Sequence, residues 1–327
     1  MKRTLSVCAA AALAAGIAMA QTDEWRQLMN DGAAQNQAGD LRAAESSYRH
    51  ALRSAEAARA ETGIALASNA LAALCDELGK SAEADGHYRR ALALVEKLTG
   101  KNSTAYASVL GNMAAHDLDL VRNSQAETLL RQALAIYDRT TGPDDPAAAG
   151  ARSALADVLL RRGDYRQAEA LLESSVSVLE AQSGLKNRAR ASAAVSNLGV
   201  VRHLQRRDDE ALLLFQRSVT ILESELGPGH PLLIRALSNL AIGYLALGRR
   251  DEAGAALRRS LAIARERLGA ENPLYGSVLM NYAGFLLKTG QKAEGKALEA
   301  QAKTILGDSA RRNGAGMTVD VSAFRGR

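Results

Sequence analysis

Residues 248–253 read Gly248-Arg249-Arg250-Asp251-Glu252-Ala253, and the same pattern of a first glycine and a sixth alanine occurs at 39–44, 79–84 and 163–168. The small residue that ends the pattern recurs along the chain at intervals of 40 to 43 residues. It is found at Ala44, Ala84, Ala126, Ala168, Ala211, Ala253 and Gly295. Seven occurrences at so regular an interval indicate a chain built from seven repeated structural units.

A second series of glycines keeps the same period and separates one unit from the next. The series is Gly63, Gly100, Gly142, Gly184, Gly227 and Gly269, and in three units a proline follows, at Pro146, Pro231 and Pro273. A glycine just past a helix can adopt the left-handed conformation that ends it, and a proline suits the first turn of the next helix. Each unit is therefore predicted to hold two helices. In the sixth unit we expect them at about Pro231 to Leu247 and Asp251 to Leu268.

The apolar residues of each unit recur at helical spacing. In the sixth unit the predicted buried stripe consists of Leu237, Leu240, Ala241, Tyr244, Ala253 and Leu257. A pair of helices this short cannot bury such a stripe alone, but stacked pairs can. Small residues mark where the first helix of a unit should approach its neighbour most closely, at Ala72, Ala114, Ala156, Gly199, Ala241 and Ala283.

These phrases resemble tetratricopeptide repeats, specifically the long, 42-residue variety found in kinesin light chains. Ala236-Leu237-Ser238-Asn239-Leu240-Ala241, the 248–253 phrase and Leu226-Gly227-Pro228-Gly229-His230-Pro231 carry the resemblance. It implies an all-α, right-handed α-solenoid of about seven helix–turn–helix repeats. Three residues depart from the pattern: Asp31, Val121 in place of the loop glycine, and Glu299. The first and last suit polar end units, and the sequence offers no physical reason for Val121.

The expected organisation follows the period. We predict a signal peptide at 1–20, a tetratricopeptide-repeat solenoid at 24–306 and a flexible C-terminal tail at 307–327. The seven units are expected at 24–60, 64–98, 104–140, 146–183, 188–226, 231–268 and 273–306. The strand-like segment Thr318 to Phe324 of the tail could also dock in the groove or add to a partner.

A row of asparagines lies on the face of the first helices opposite the buried stripe. With the loop glycine of a unit as position 15, position 6 is asparagine in five units, and a further asparagine lies one residue earlier in the second unit. The candidate residues are Asn30, Asn69, Asn112, Asn197, Asn239 and Asn281. The resemblance implies that this face lines a concave groove where asparagines hold the backbone of an extended peptide. An amide both donates and accepts, so it can pair with any peptide backbone. The alternative is structural, with the amides bridging neighbouring units.

The charged neighbours of these asparagines give the expected groove a mixed character. They are Arg26, Asp76, Glu77, Asp119, Asp157, Arg161, His203, Arg235 and Lys288, with the acids in the second to fourth units. The leading hypothesis is a non-enzymatic scaffold that binds an extended segment of a partner protein in this groove. The alternative is an architectural envelope protein that self-associates through its repeat ends or its tail.

The sequence offers no candidate catalytic or metal site. Its five histidines are scattered, and no HExxH, GxSxG or phosphate-binding glycine loop is present. We therefore expect no enzymatic activity, no cofactor and no bound metal, and the small net charge argues against nucleic acid as a partner. Cys75 falls at a buried helix position, where an inert thiol is expected.

The first twenty residues are typical of an export signal. Lys2 and Arg3 precede an apolar stretch that ends in Ala18-Met19-Ala20, which predicts cleavage before Gln21. Removing the segment lowers the formal charge from +5 to +3, because it carries two cations and no acids. The expected location is the periplasm or the medium, with no membrane span after cleavage, and an uncleaved N-terminal anchor is the alternative.

Overall fold

A computed structural model describes residues 24–182 and 184–313 of the 327-residue chain. This part contains fourteen α-helices and no strand, arranged as seven consecutive pairs. The predicted signal peptide lies outside the described residues. The helices are α1 (24–37), α2 (Leu41–Ala57), α3 (Glu61–Glu77), α4 (Ser81–Thr99), α5 (Thr104–Asp119), α6 (Asn123–Thr140), α7 (Pro146–Arg162), α8 (Tyr165–Glu180), α9 (Leu185–Leu204), α10 (Asp208–Leu226), α11 (Leu233–Ala246), α12 (Arg250–Leu268), α13 (Pro273–Lys288) and α14 (Lys292–Asn313).

Local sequence explains where these helices begin and end. Asp145 caps α7 by accepting from the backbone N–H groups of Ala147 and Ala148, at 2.6 and 3.3 Å, and Pro146 occupies the first turn. Gly163 ends the same helix with a φ of 89°, a conformation that favours glycine. In the sixth unit α11 begins at Leu233 instead of Pro231, because the imidazole of His230 accepts from Leu232 N–H and holds a turn there.

The last helix is longer than the sequence indicates. We predicted the end of the repeat region at 306, whereas α14 continues to Asn313. Residues 307–313 are therefore helical and do not belong to a flexible tail. The remainder of that tail lies outside the described residues.

Successive helices pack side by side along the chain and bury the predicted stripe. The small residues that mark close approach, from Ala72 to Ala283, are all buried. Phe215 shows how tight this packing is, because its ring fills the space left by two glycines. A Cβ atom on Gly199 would lie 2.7 Å from the ring, and one on Gly243 would lie 2.8 Å from it. Neighbouring units are thus held by interdigitated apolar side chains.

The two ends of the solenoid meet. Pro231 lies against Gly39, the turn glycine of the first unit, and Pro273 lies against Gly79, the turn glycine of the second. The Asn272 amide also donates to the backbone carbonyl of Glu77 at 3.0 Å. Unit 6 therefore contacts unit 1, and unit 7 contacts unit 2. We call this contact between Gly39, Gly79, Pro231, Asn272 and Pro273 the seam.

Candidate functional site

The inner faces of the first helices line a half-open cavity of about 460 Å³. Part of its rim is the seam, since Pro231, Asn272 and Pro273 contribute to the wall, beside Leu41 and Leu268. The polar and charged side chains of the rest of the wall come from units 2 to 6. They include Asp76, Glu77, Tyr88, Asn112, His116, Asp119, Asp157, Asn197, Arg235 and Asn239.

Three of the six predicted asparagines lie in this wall: Asn112, Asn197 and Asn239. They belong to the third, fifth and sixth units, so the first helices of those units bring them to one surface. Among the described residues, no hydrogen-bond partner is found for the Asn197 amide. A bound chain could use both its donor and its acceptor.

The other three asparagines lie elsewhere. Asn69 does not line the cavity, and its amide oxygen accepts from Asn112 Nδ2 at 3.1 Å. Asn30 is exposed on α1 outside the cavity. Asn281 is 8% exposed, and its amide oxygen has no hydrogen-bond partner among the described residues. The row is therefore divided, with only its middle members facing the cavity.

Two of the wall asparagines bridge neighbouring units. Asn112 on α5 binds Asn69 on α3, and Asn239 on α11 donates to Ser196 Oγ on α9 at 2.9 Å. These contacts are the ones that the structural alternative anticipates. Each of these hydrogen bonds uses one N–H of the asparagine's Nδ2 and leaves its amide oxygen available. The same side chain can therefore hold two units together and still accept a hydrogen bond from a ligand.

An acidic strip runs along the wall opposite α11. Asp119 and Arg235 form an ion pair across the cavity at 3.2 Å, linking unit 3 to unit 6. The charge of Asp119 raises the pKa of the Arg235 guanidinium, with help from Asp157 and Glu77. The Arg235 side chain is 68% exposed within the cavity, so other groups can reach it.

Glu77 is the most perturbed carboxyl in this strip. Its side chain contacts the solvent of the cavity but is surrounded by protein on the other sides. This enclosure raises its pKa from 4.5 to about 7, with Arg235 opposing the shift and Asp76 adding to it. A carboxyl in such surroundings is stabilised by any cation that enters the cavity.

Asp76 is held by two neighbours from other helices. Nδ1 of His116 lies 2.7 Å from one carboxylate oxygen, and the Tyr88 hydroxyl donates to the other at 3.0 Å. Burial raises the pKa of Asp76 against these hydrogen bonds. Burial lowers the pKa of His116, but its hydrogen bond to Asp76 outweighs that effect and raises it. The three residues form a fixed polar contact between units 2 and 3.

Sequence reasoning missed this contact and the seam. Asp76 and His116 are 40 residues apart, which is close to one period, so a comparison of neighbouring first helices would have paired them. Asn272 and Glu77 are 195 residues apart and offer no local signal.

The remaining charged residues expected in the groove lie outside the wall. The Arg26 guanidinium stacks on Trp25 at 5.0 Å. Arg161 pairs with Asp157 at 3.3 Å, and Nδ1 of His203 lies 2.6 Å from Asp208. Lys288 is also absent from the wall. The acids predicted for units 2 to 4 do line the cavity, so it is more acidic than the sequence indicates.

Cys75 is fully buried, and burial raises the pKa of its thiol to about 12. The thiol is therefore protonated and unreactive at neutral pH, as expected. Within residues 24–182 and 184–313, no three histidine, cysteine or acidic side chains are grouped as metal ligands. None of the described helices is long and apolar enough to cross a membrane.

Comparison with known proteins agrees with this architecture. Tetratricopeptide-repeat models match residues 67–101, 104–181 and 190–266. A Rap protein solved in complex with Competence and Sporulation Factor has a TM-score of 0.68 and 16% identity, over 88% of this chain and 76% of that one. The apo form of RapI has a TM-score of 0.58 and 12% identity, over 88% of this chain and 98% of RapI.

A kinesin light chain from Podosopora anserina with nearly identical TPR-like repeats is 24% identical, covering 63% of this chain and 98% of that one, with a TM-score of 0.47. Among curated protein sequences, none matches the chain. The matched models cover more than half of the sequence, and they fall on the helix pairs described above. The chain therefore belongs to the tetratricopeptide-repeat family.

Proposed function

We propose that the protein is a non-enzymatic scaffold that holds an extended segment of a partner protein inside the central cavity. The observation that carries this proposal is the convergence of Asn112, Asn197 and Asn239 on one concave surface. The tetratricopeptide-repeat fold is typical of protein-interaction scaffolds, and a Rap protein of similar fold was solved in complex with Competence and Sporulation Factor.

The three amides suit a peptide backbone. Their oxygens can accept from backbone N–H groups, and Asn197 can also donate to a carbonyl. Because such bonds ignore the identity of the bound side chains, they supply affinity and leave selectivity to the rest of the wall.

The charge of the wall indicates a basic residue in the bound segment. Asp119, Asp157 and Glu77 share one guanidinium, that of Arg235. A lysine or arginine of the partner would add a second cation to this acidic strip. Acidic segments would be disfavoured by repulsion.

The partner can be identified by cross-linking from inside the cavity. A photoreactive benzoylphenylalanine replaces Asn197 in one protein and Leu213, which is 66% exposed and outside the wall, in a control. We expect residue 197 to label a segment that residue 213 does not, and mass spectrometry to find a basic residue within it. Identical products from both positions would exclude the cavity as the binding site.

Alanine substitution then measures the part played by the amides. The triple variant Asn112→Ala, Asn197→Ala and Asn239→Ala should bind the cross-linked segment about 10- to 1,000-fold more weakly, at ~0.5–1.5 kcal/mol per hydrogen bond. Asn30→Ala serves as the control because Asn30 lies outside the wall. Unchanged affinity of a folded triple variant would show that these asparagines are only structural.

We also propose that the protein acts outside the cytoplasm. The support is the sequence of residues 1–20, with its cationic start and its small residues before Gln21. N-terminal sequencing of the protein isolated from its native cells should find a chain that begins at Gln21. A chain beginning at Met1 in the cytoplasmic fraction would contradict export.

A further inference from the structure

The seam and the cavity depend on each other. Pro231, Asn272 and Pro273 contribute to the seam and to the cavity wall at the same time. Separating unit 1 from unit 6 and unit 2 from unit 7 would therefore turn a half-open cavity into a wide groove. The closed form has room for a ligand of drug size at about 460 Å³. That is little space for an extended protein segment with its side chains.

The contacts of the seam favour the closed form without locking it. Pro231 and Pro273 lie against glycines, which offer no side chain to interlock with, while one cluster of buried apolar residues, Leu41 among them, joins units 1 and 2 to units 5, 6 and 7. One hydrogen bond, from Asn272 to the Glu77 carbonyl, adds to them. Across the cavity the Arg235–Asp119 pair is substantially exposed, at 68% and 36%. Exposed pairs of this kind contribute little to stability.

The two seam glycines meet a steric demand that the other turns do not share. Gly39 and Gly79 have φ angles of 77° and 72°, and a Cβ atom on either would collide with the ring of Pro231 or Pro273. Gly248 has a φ of 73° in the equivalent turn of unit 6, but no atom lies within 4 Å of its Cβ position. The backbone conformation favours glycine at all three turns, and only at the seam does the space beside the turn require it.

We propose that the seam is a gate, which opens to admit a segment to the cavity and closes around it. This inference rests on the proposed function only in taking the ligand that enters to be an extended protein segment. Opening of the seam is a property of the protein alone, so it can be measured without a partner.

The test is the accessibility of a cysteine placed in the cavity. The full chain carries Cys8→Ser and Asn197→Cys, while Cys75 stays because it is fully buried. Labelling is compared between small N-ethylmaleimide and a maleimide attached to a long polyethylene glycol chain. If the gate opens and closes quickly, the rate for the bulky reagent follows the open fraction.

We expect the bulky reagent to label the thiol introduced at position 197 much more slowly than the small one in the otherwise unchanged chain. Gly79→Ala should increase the bulky rate about tenfold by shifting the seam towards its open form. Gly248→Ala, with the same backbone strain and no collision, should leave the ratio of the two rates unchanged. Leu213→Cys, on the outer surface, reports the reactivity of a freely accessible thiol for each reagent.

Two results would overturn the gate. One is equal accessibility of the cavity thiol to both reagents, relative to the surface thiol at position 213, in the chain with an intact seam. The other is the same acceleration by Gly79→Ala and Gly248→Ala. Should Gly79→Ala fail to fold, Asn272→Asp replaces it, because an aspartate still accepts from Leu274 N–H and caps α13 but cannot donate to the Glu77 carbonyl. It should accelerate bulky labelling by a smaller factor, and no acceleration would count against the gate.

Discussion

The interface between neighbouring units and the seam between the two ends are built differently. Between units 5 and 6, Phe215 is 1% exposed and fills the space beside Gly199 and Gly243. In the seam, prolines lie on glycines and a single amide reaches a backbone carbonyl. The first interface provides most of the stability through apolar burial. The second adds to one buried apolar cluster that joins the two ends, but its proline–glycine contacts do not interlock, which makes it the part that can respond to a ligand.

The largest effect is expected where neighbouring units interlock. Phe215→Ala should lower the free energy of unfolding by about 3–5 kcal/mol, because it leaves a cavity between α9, α10 and α11. Urea denaturation followed by circular dichroism measures the loss. Leu213→Ala on the same helix, at a 66% exposed position, is the control and should change little. A loss under about 1 kcal/mol for Phe215→Ala would show that the ring is not part of a tight core.

Substituting a turn glycine of the seam should lower the free energy of unfolding more than substituting a turn glycine elsewhere. Gly39→Ala places a Cβ atom 2.7 Å from Pro231 in addition to its strain at a φ of 77°. Gly163→Ala brings strain at a φ of 89° and no collision. We expect losses of about 2 kcal/mol and about 1 kcal/mol respectively. Equal losses in parallel denaturation experiments would mean that the seam moves aside freely.

A substitution in the turn of unit 3 should raise the free energy of unfolding instead of lowering it. Val121 adopts a φ of 59° and is 40% exposed, which is a strained conformation for a β-branched residue. Val121→Gly should raise the free energy of unfolding by about 1 kcal/mol. The reciprocal change, Gly163→Val, should lower it. A neutral or destabilising Val121→Gly would mean that Val121 makes a contact that offsets its strain.

The smallest effect is a pH dependence at the seam. Because the folded protein raises the pKa of Glu77 from 4.5 to about 7, the native state binds this proton more tightly than the unfolded chain. The stability that the proton provides is complete below pH 4.5 and is lost as the pH rises through about 7. Glu77→Gln should therefore raise the melting temperature more at about pH 8 than at about pH 5.

The control for this measurement is Glu294→Gln at an exposed position of α14, which should show the same small effect at both pH values. If Glu77→Gln lowered the melting temperature at the higher pH, the carboxylate would be a stabilising partner of Arg235. The protein that surrounds Glu77 would then not be what determines the effect of this carboxyl on stability.

Local patterns predict the helices because the forces that form them act over a few residues. The turn glycines, the prolines at 146 and 273 and the 42-residue period all lie within reach of single-sequence reasoning. The seam depends on how far each unit rotates relative to the last, a rotation that accumulates over five units until the ends meet. The repeat period does not give this rotation. It therefore does not show that Asn112, Asn197 and Asn239 line the cavity, whereas Asn30, Asn69 and Asn281 do not.

The contacts of the seam also explain why a valine is tolerated at position 121. At Gly39 and Gly79 a side chain would collide with a proline from five units later, but residues 24–182 and 184–313 contain no eighth pair of helices to meet the turn of unit 3 in the same way. A side chain at 121 therefore costs only backbone strain. The same holds for Arg206, with a φ of 66° in the turn of unit 5.

Contact between the ends also changes how the molecule should unfold. An open solenoid behaves as a one-dimensional array in which terminal units fray first, since each has a single neighbour. Here units 1 and 2 have second neighbours in units 6 and 7, so the array closes on itself and its terminal units gain protection whenever the seam is closed. Hydrogen exchange should then find α2 and α13 more protected in the unchanged chain than in Gly79→Ala, in which the seam is weakened.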